Sequence, residues 1–176
     1  MKCTITPAAK SLTLHLSFYR DELIYDIKNL AYIESHAMPD EQLHARHQVA
    51  DIDESGNSDR LNRILNLKYR QCVELLHRWT RRSLREGETM DNRPDDSFDY
   101  TMQLQVPVTF SRTSADYLLD LIHEYLVCST IADWLGILYP TKYPIWQQRA
   151  ADAISEMTKL LGHRTRRVRL TPHWLS

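Results

Sequence analysis

Residues 113–137 have the sequence TSADYLLDLIHEYLVCSTIADWLGI, and this stretch decides how the rest of the chain must be arranged. Its apolar side chains recur at three- and four-residue steps, which predicts a helix, with Thr113 or Ser114 as its N-cap. They also cover more than one face of that helix. A helix of this kind lies either at the centre of a core or at an interface between subunits.

A second helix is predicted over residues 144–161. Pro144 suits a first helical turn, and Gly162 stands where a helix usually ends. The connection around Tyr139 and Pro140 is short, so the two helices should pack as an antiparallel hairpin. The apolar stripe of the second helix consists of Ile145, Trp146, Ala150, Ile154, Met157 and Leu161.

The N-terminal half predicts further helices and one short strand. Residues 2–6 are β-prone and stop at Pro7, which is typical of an edge strand. From about Ser11 to Met38 we predict an amphipathic helix, ended by Pro39. A shorter helix should follow from Asp40. The stripe of the long helix is Leu16, Tyr19, Leu23, Ile27, Leu30 and then Ile33 or Glu34.

The middle of the chain alternates between a basic helix and an acidic loop. Ser58 is a suitable N-cap for a helix over residues 59–84, which carries apolar residues on one face and arginines on the other. Residues 86–99 are acidic and contain Gly87 and Pro94, so they predict a loop. Residues 100–110 alternate apolar and polar side chains like a half-buried strand, which needs a partner in residues 2–6 or in a symmetry mate.

These elements together predict a mainly α fold, a bundle of four to five helices with a small β element from residues 2–6 and 100–110. A chain of 176 residues is most naturally one domain. We place that domain at residues 1–163, with the acidic loop at 86–99, and treat residues 164–176 as a basic C-terminal tail.

Composition favours a cytoplasmic protein. The formal net charge of −1 names neither nucleic acid nor membrane as a partner. No apolar run approaches the roughly 20 residues of a membrane span, and no signal peptide is evident. Three widely spaced cysteines, Cys3, Cys72 and Cys128, form no metal-binding spacing and are expected to be reduced thiols.

Two groups of residues have spacings that metal sites use. Residues 51–57, from Asp51 to Asn57, overlay the start of a calcium loop, but Asn62 stands where that loop needs a bidentate glutamate. His44 and His47 share a helix face, with His36 earlier in the chain. An acidic turn before a helix and a set of surface histidines are the more common interpretations, so we expect no metal and no cofactor.

Catalytic patterns are equally weak. The chain contains no G-x-S-x-G sequence, and its cysteines lie in apolar patterns without a neighbouring histidine. Asp116, Asp120 and Glu124 share one helix face and could bind a metal or transfer protons. Such a row more often faces solvent or pairs with arginines. We therefore expect no catalytic residues and no enzymatic activity.

The tail is the candidate partner-binding segment. Its arginines could pair with an acidic protein surface while Trp174 fills an apolar pocket, or they could neutralise phosphates of a nucleic acid. A solvated, frayed terminus is the third possibility. The acidic loop is one possible partner, within one chain or between copies. The candidate residues are Arg164, Arg166, Arg167, Arg169 and Trp174.

Residues 117–167 carry a resemblance to a known class of proteins. The run from Tyr117 to Val127, the sequence Ala132-Asp133-Trp134-Leu135, Trp146, the alanine-rich 150–154 segment and the arginines from Arg164 resemble small helical structural proteins of tailed phages and prophages. The resemblance implies a head–tail connector or tail-associated virion component that acts in multiple copies and has no active site.

The expected function is therefore structural. The protein would be a prophage-encoded assembly component that contacts copies of itself or other virion proteins, without a membrane. The apolar face of the 114–138 helix would supply the buried contact and arginines its orientation. Two other classes remain open: a nucleic-acid-associated helical module, which uses the arginines of residues 60–85 and the tail, and a metal-dependent enzyme.

Overall fold

The computed structural model describes residues 1–7, 11–39, 43–52, 54–80 and 99–162. Within these ranges the protein is mostly helical and contains one three-stranded antiparallel sheet. The mainly α fold with a small β element is therefore confirmed. The acidic loop at 86–99, apart from Asp99, and the tail at 164–176 lie outside the described residues.

The sheet consists of β1 (Lys2–Pro7), β2 (Ser11–Phe18) and β3 (Tyr100–Pro107), in the order β1-β2-β3. The strand at 100–107 was correctly predicted, but its partner was wrong. It pairs with β2, with Leu14 opposite Leu104, while β1 pairs with the other edge of β2. The backbone groups of the central strand are therefore satisfied from both sides.

Residues 11–18 were wrongly predicted to start the first long helix. Leu14, Leu16 and Phe18 are buried and alternate with less buried neighbours, which is the period of a strand. Leucine has no strong preference for strands, so the composition hid that period. The helical spacing begins only after Tyr19, where α1 (Arg20–His36) buries Leu23 and Ile27.

The other helices follow in chain order. They are α2 (Leu43–Ala50), α3 (Ser58–Leu75), α4 (His77–Thr80), α5 (Arg112–Leu138) and α6 (Tyr143–Gly162). The predicted 59–84 helix is thus shorter than expected: α3 ends at Leu75, and one short turn, α4, follows. Residues 81–84 of that prediction lie outside the described residues.

Helix α5 forms the centre of the fold. It contacts α1, α2, α3 and α6 and also touches β1 and β2. Ser111, not Thr113 or Ser114, caps its N-terminus, because the Ser111 side chain accepts a hydrogen bond from the Ser114 backbone N–H at 3.2 Å. The apolar pattern of α5 allowed either a place at the centre of the core or one at a subunit interface, and the helix lies at the centre of the core. The chain's own elements cover most of the apolar surface of the 114–138 helix, which was predicted as the docking face, while Tyr117 and Ile137 stay exposed.

Helices α5 and α6 pack together over their lengths, as the short connection predicted. Trp134 and Trp146 are both buried there. Gly136 leaves room for the Tyr143 ring, since a Cβ at this position would lie 3.2 Å from Tyr143 Cδ2. Residues 139–142 alone connect the helices, so the hairpin is positioned by local sequence.

Candidate functional site

The predicted partner-binding residues, Arg164, Arg166, Arg167, Arg169 and Trp174, lie outside the described residues. Their nearest described neighbour is the end of α6 at Gly162. The structure therefore gives the position of Gly162, and the role of the tail stays a prediction.

The two candidate metal sites that the sequence offered are not assembled in the described part of the chain, where no group of three histidine, cysteine or acidic side chains could hold an ion. The calcium-like segment is a turn before α3: Asn57 Nδ2 donates to the Asp51 carbonyl at 2.9 Å. Asp53 lies outside the described residues. His36 stacks on Tyr32, with ring centroids 4.1 Å apart, while His44 and His47 lie on α2.

The acidic row on α5 is divided among different partners. Arg112 Nε donates to Asp116 Oδ1 at 3.0 Å. At the C-terminal end of the row, Glu124 Oε1 accepts a hydrogen bond from Cys128 Sγ at 3.1 Å. Asp120 is exposed between them. The three carboxylates therefore do not converge on one point, as an ion or a shared proton would require.

The cysteines behave as core residues. Cys3, Cys72 and Cys128 are all buried and free. Burial raises the pKa of Cys72 to about 12, and burial with the Glu124 hydrogen bond raises the pKa of Cys128 to about 12. Both side chains are thus protonated thiols near neutral pH, which are poor nucleophiles.

The arginines of α3 do not form one continuous basic surface. Arg60 lies over the Trp134 ring at 5.0 Å from its centroid, where it covers the core. Arg63 and Arg70 are exposed, but Asp59 and Glu74 are exposed on the same helix. Opposite charges that alternate along a helix attract phosphates weakly.

A cleft that the sequence did not indicate lies between the N-terminal half of α1 and α5. Its volume is about 380 Å³, and its walls are Met1, Asp21, Glu22, Tyr25, Asp26 and His123. The amino group of Met1 pairs with Glu22, and His123 Nε2 lies 2.7 Å from Asp26 Oδ2. Three acidic residues and one exposed tyrosine are therefore among its walls, although the surface that the walls present to the cleft is mainly apolar.

The His123–Asp26 pair has the composition of a catalytic dyad but not its arrangement. In a general base, the carboxylate holds one imidazole nitrogen and the other nitrogen faces the substrate. Here Nε2 is engaged by Asp26, and Nδ1 is buried without a hydrogen-bond partner among the described residues. The pair therefore joins α1 to α5 and presents no nitrogen for proton transfer.

Three large apolar side chains on α1 point into solvent: Tyr25 is 65% exposed, Ile33 59% and Tyr32 57%. Tyr25 and Tyr32 are seven residues apart and lie in one row along the helix, and Ile33, the residue after Tyr32, lies about 100° further round its outer side. We call this set the tyrosine ridge. Tyr25 and Tyr32 lie off the stripe predicted from the sequence, whereas Ile33 was one of two candidates for its last position and is exposed instead.

Comparison with protein-family models, with curated proteins and with solved structures found no match to this chain. The site must therefore be judged by its own geometry. That geometry consists of the cleft between α1 and α5 and of an exposed aromatic ridge on α1.

One helix of the described part, α5, is long and apolar enough to cross a membrane by length and composition alone. By this criterion, the expectation that no apolar run approaches the length of a membrane span was wrong. However, 67% of its most apolar window is buried inside the fold. A helix packed on several sides by the same chain is explained as a core helix.

Proposed function

We propose that the protein is a non-enzymatic structural component of a tailed-phage or prophage particle, a head–tail connector or a tail-associated protein that acts through protein–protein contacts. The observation that carries the proposal is the tyrosine ridge. Tyrosine is enriched in interfaces because it combines a large apolar surface with a polar tip at low entropic cost. The resemblance of residues 117–167 supplies the class of assembly.

The contact surface that we propose lies on α1, whereas the sequence had suggested α5. An interface needs apolar side chains that are exposed before binding, and most of those of α5 are already covered. Tyr25, Tyr32 and Ile33 meet this requirement. The first partner that we propose is a second copy of the chain, followed by neighbouring virion proteins.

The rigidity that such a component needs would come from a helical bundle. We propose that α1, α2, α3 and α6 surround α5 as a bundle of five longer helices, with the sheet at one side. The contacts of α5 with each of the other four support this description. A bundle of this kind holds the outer face of α1 in a fixed orientation.

Sedimentation velocity over a range of concentrations tests the proposal. We expect the wild-type chain to associate, and Tyr32→Ser with Ile33→Ser to shift association to higher concentration by about tenfold or more. The matched control is Val108→Ser with Ile137→Ser, which removes equally exposed apolar side chains elsewhere. A wild-type chain that stays monomeric, or equal effects of both variants, would contradict a self-association role for the ridge.

Location provides a second test. We propose that the chain is made in the cytoplasm and then incorporated into the particle. Purified particles from a strain that carries the gene should contain it in a fixed ratio to the other structural proteins, as measured by quantitative mass spectrometry. Its absence from complete particles would contradict the virion assignment.

A further inference from the structure

The two edges of the sheet differ in what lies beside them. At β3, helix α4 packs against the strand, and Tyr69 of α3 donates a hydrogen bond to the Thr101 backbone carbonyl. At β1, the described part of the chain supplies a strand on one side alone, and the backbone hydrogen bonds of β1 go to β2. Backbone groups alternate in direction along a strand, so those of β1 that point away from β2 have no partner among the described residues.

The sequence of β1 leaves this edge open to pairing. Proteins protect an exposed strand edge with charged side chains, with proline or with a covering element. In β1 the first two devices stand only at the ends of the strand, as Lys2 and Pro7. Residues 3–6 between them are uncharged, and three of these four are threonine or isoleucine, which favour strands. The edge can therefore accept a further strand.

The two faces of β1 determine which strand fits beside it. Cys3 is buried and Ile5 partly buried on the side of the core, whereas Thr4 and Thr6 are exposed on the other side. An added strand must alternate apolar and polar side chains in the same way, because a shift by one residue would expose its apolar set. A second copy of β1 has this alternation and offers the same backbone donors and acceptors.

The start of β1 lies beside the tyrosine ridge. Met1, the residue before the strand, and Tyr25 of the ridge line the same cleft. One end of the strand edge therefore adjoins the surface that we propose for self-association. A partner that binds the ridge is thereby brought next to β1, and the partner proposed for the ridge is a second copy of the chain.

Charge placement favours an antiparallel arrangement of the two strands. Lys2 is the one charged side chain of β1. With Lys2 opposite Thr6 of the second copy, the two lysines are about 14 Å apart along the strands, beyond the Debye length of about 8 Å at physiological salt. In a parallel pair in register they would be about 5 Å apart and would repel each other. An antiparallel pair of like edges is also symmetric and closes at two copies.

We propose that β1 pairs antiparallel with β1 of a second copy, which joins two three-stranded sheets into one six-stranded sheet. The uncovered edge, the alternation of its side chains and its position beside the ridge support this inference. It deepens the proposed self-association, on which it rests for the choice of a second copy as the partner. Backbone hydrogen bonds between the strands add a fixed relative orientation to the apolar contact of the ridge.

Amide hydrogen exchange, measured by NMR at several protein concentrations, tests the pairing. Successive amides of residues 3–6 point to opposite sides of the strand. Those bonded to β2 should exchange slowly at every concentration. Those that point outward should exchange about tenfold or more slowly at high than at low concentration, because only the dimer gives them an acceptor.

A pair of lysine substitutions tests the edge independently. Thr4→Lys with Thr6→Lys places charges on the exposed face of β1, and paired strands would bring these like charges together. The concentration needed for association in sedimentation velocity should therefore rise by about fivefold or more. The outward amides of β1 should lose their protection at the same protein concentrations.

The matched control is Gln103→Lys with Gln105→Lys. These two residues lie in the same rows of the sheet as Thr4 and Thr6 and are also exposed, but they belong to β3 at the other edge. The control should leave association unchanged. Urea unfolding of both variants checks that they are folded.

Four results would overturn the inference. Outward amides that exchange at one rate while the chain associates show that association uses another surface, and they leave the ridge as a candidate. Protection that is equal at every concentration assigns the edge to a segment of the same chain. Equal weakening by the two lysine variants shows that charge anywhere on the sheet is sufficient. A wild-type chain that stays monomeric removes the partner.

The ridge and the strand edge are distinguished in the Tyr32→Ser, Ile33→Ser variant. If this variant still shows protection of β1 at the same protein concentrations as the wild type, the strands pair and the ridge does not contribute. If it associates only at higher concentration, with β1 protection shifted in parallel, both surfaces belong to one contact. Loss of association without any change at β1 at any concentration supports the ridge alone and contradicts strand pairing.

Discussion

Lys68 Nζ lies 2.8 Å from Asp133 Oδ2 and joins α3 to the central helix α5. The Lys68 side chain is only 13% exposed and that of Asp133 33% exposed, so water screens their attraction incompletely. Arg60, also on α3, lies over the ring of Trp134, the residue after Asp133. These two contacts, Lys68 with Asp133 and Arg60 with Trp134, both join α3 to α5.

We expect a double-mutant cycle of Lys68→Met and Asp133→Asn to give a coupling free energy of about 1 kcal/mol or more in urea unfolding. Each single change leaves one charged group without its partner in a poorly solvated position, and the double change does not. The control is the exposed pair Arg112 and Asp116, whose side chains are 62% and 52% exposed. Its coupling should be about 0.3–0.5 kcal/mol; equal coupling in both pairs would contradict the role of burial.

Local signals were sufficient to predict the α5–α6 hairpin from sequence. Continuous apolar spacing, Pro144 and the short connection all act within a few residues of one another, and the observed helices begin and end close to the predicted positions. Strand β2 was missed because its leucines fit both a period of two and a period of four. Its assignment depends on β1 and β3, and β3 is distant in the chain.

The cleft was not predictable from sequence for a related reason. His123 and Asp26 are 97 residues apart in the chain, and neither belongs to a motif. They meet because the apolar faces of α1 and α5 pack together. Helical spacing alone places Tyr25 and Tyr32 of the tyrosine ridge away from the core, but it allowed either Ile33 or Glu34 as the last buried position, and Ile33 is exposed.

The assignment of β2 can be tested by substitution on its two faces. Leu14 is fully buried between Ile5 and Leu104 in the register of the sheet. Leu14→Ala should reduce the free energy of unfolding by about 2–5 kcal/mol because it leaves a cavity. Thr13→Ala, on the opposite face, should cost about 1 kcal/mol or less. Chemical denaturation measures both; similar losses would contradict the observed alternation.

Glu34 connects α1 to the start of α6. Trp146 Nε1 donates to Glu34 Oε1 at 3.2 Å, and Lys142 Nζ lies 3.2 Å from Glu34 Oε2. Glu34→Ala leaves the indole N–H of a buried tryptophan without its acceptor, so we expect a loss of about 1–3 kcal/mol in the free energy of unfolding.

Two further variants make the Glu34 measurement specific. Glu34→Gln keeps an oxygen acceptor for Trp146 and should lose less stability than Glu34→Ala. Glu156→Ala removes an exposed glutamate on α6 that pairs with Lys159 and should change stability by less than about 0.5 kcal/mol. If Glu34→Ala loses no more stability than Glu156→Ala in thermal and urea unfolding, the contacts of Glu34 with Trp146 and Lys142 contribute little to the stability of the fold.

Stability should fall in alkaline solution, and Cys72 should account for part of the fall. Burial raises the pKa of this thiol from 9.0 to about 12, so the unfolded chain loses its proton at a lower pH than the folded chain. Between these values the unfolded state binds fewer protons, and the free energy of unfolding decreases as pH rises, by about 1.4 kcal/mol per pH unit for one group.

Cys72→Ala removes this contribution, so its stability should decline less steeply from pH 9 to pH 11 than that of the wild type. Urea unfolding at several pH values, with reductant present, measures the two slopes. Parallel slopes would mean that Cys72 titrates alike in both states, contrary to its burial beneath α5.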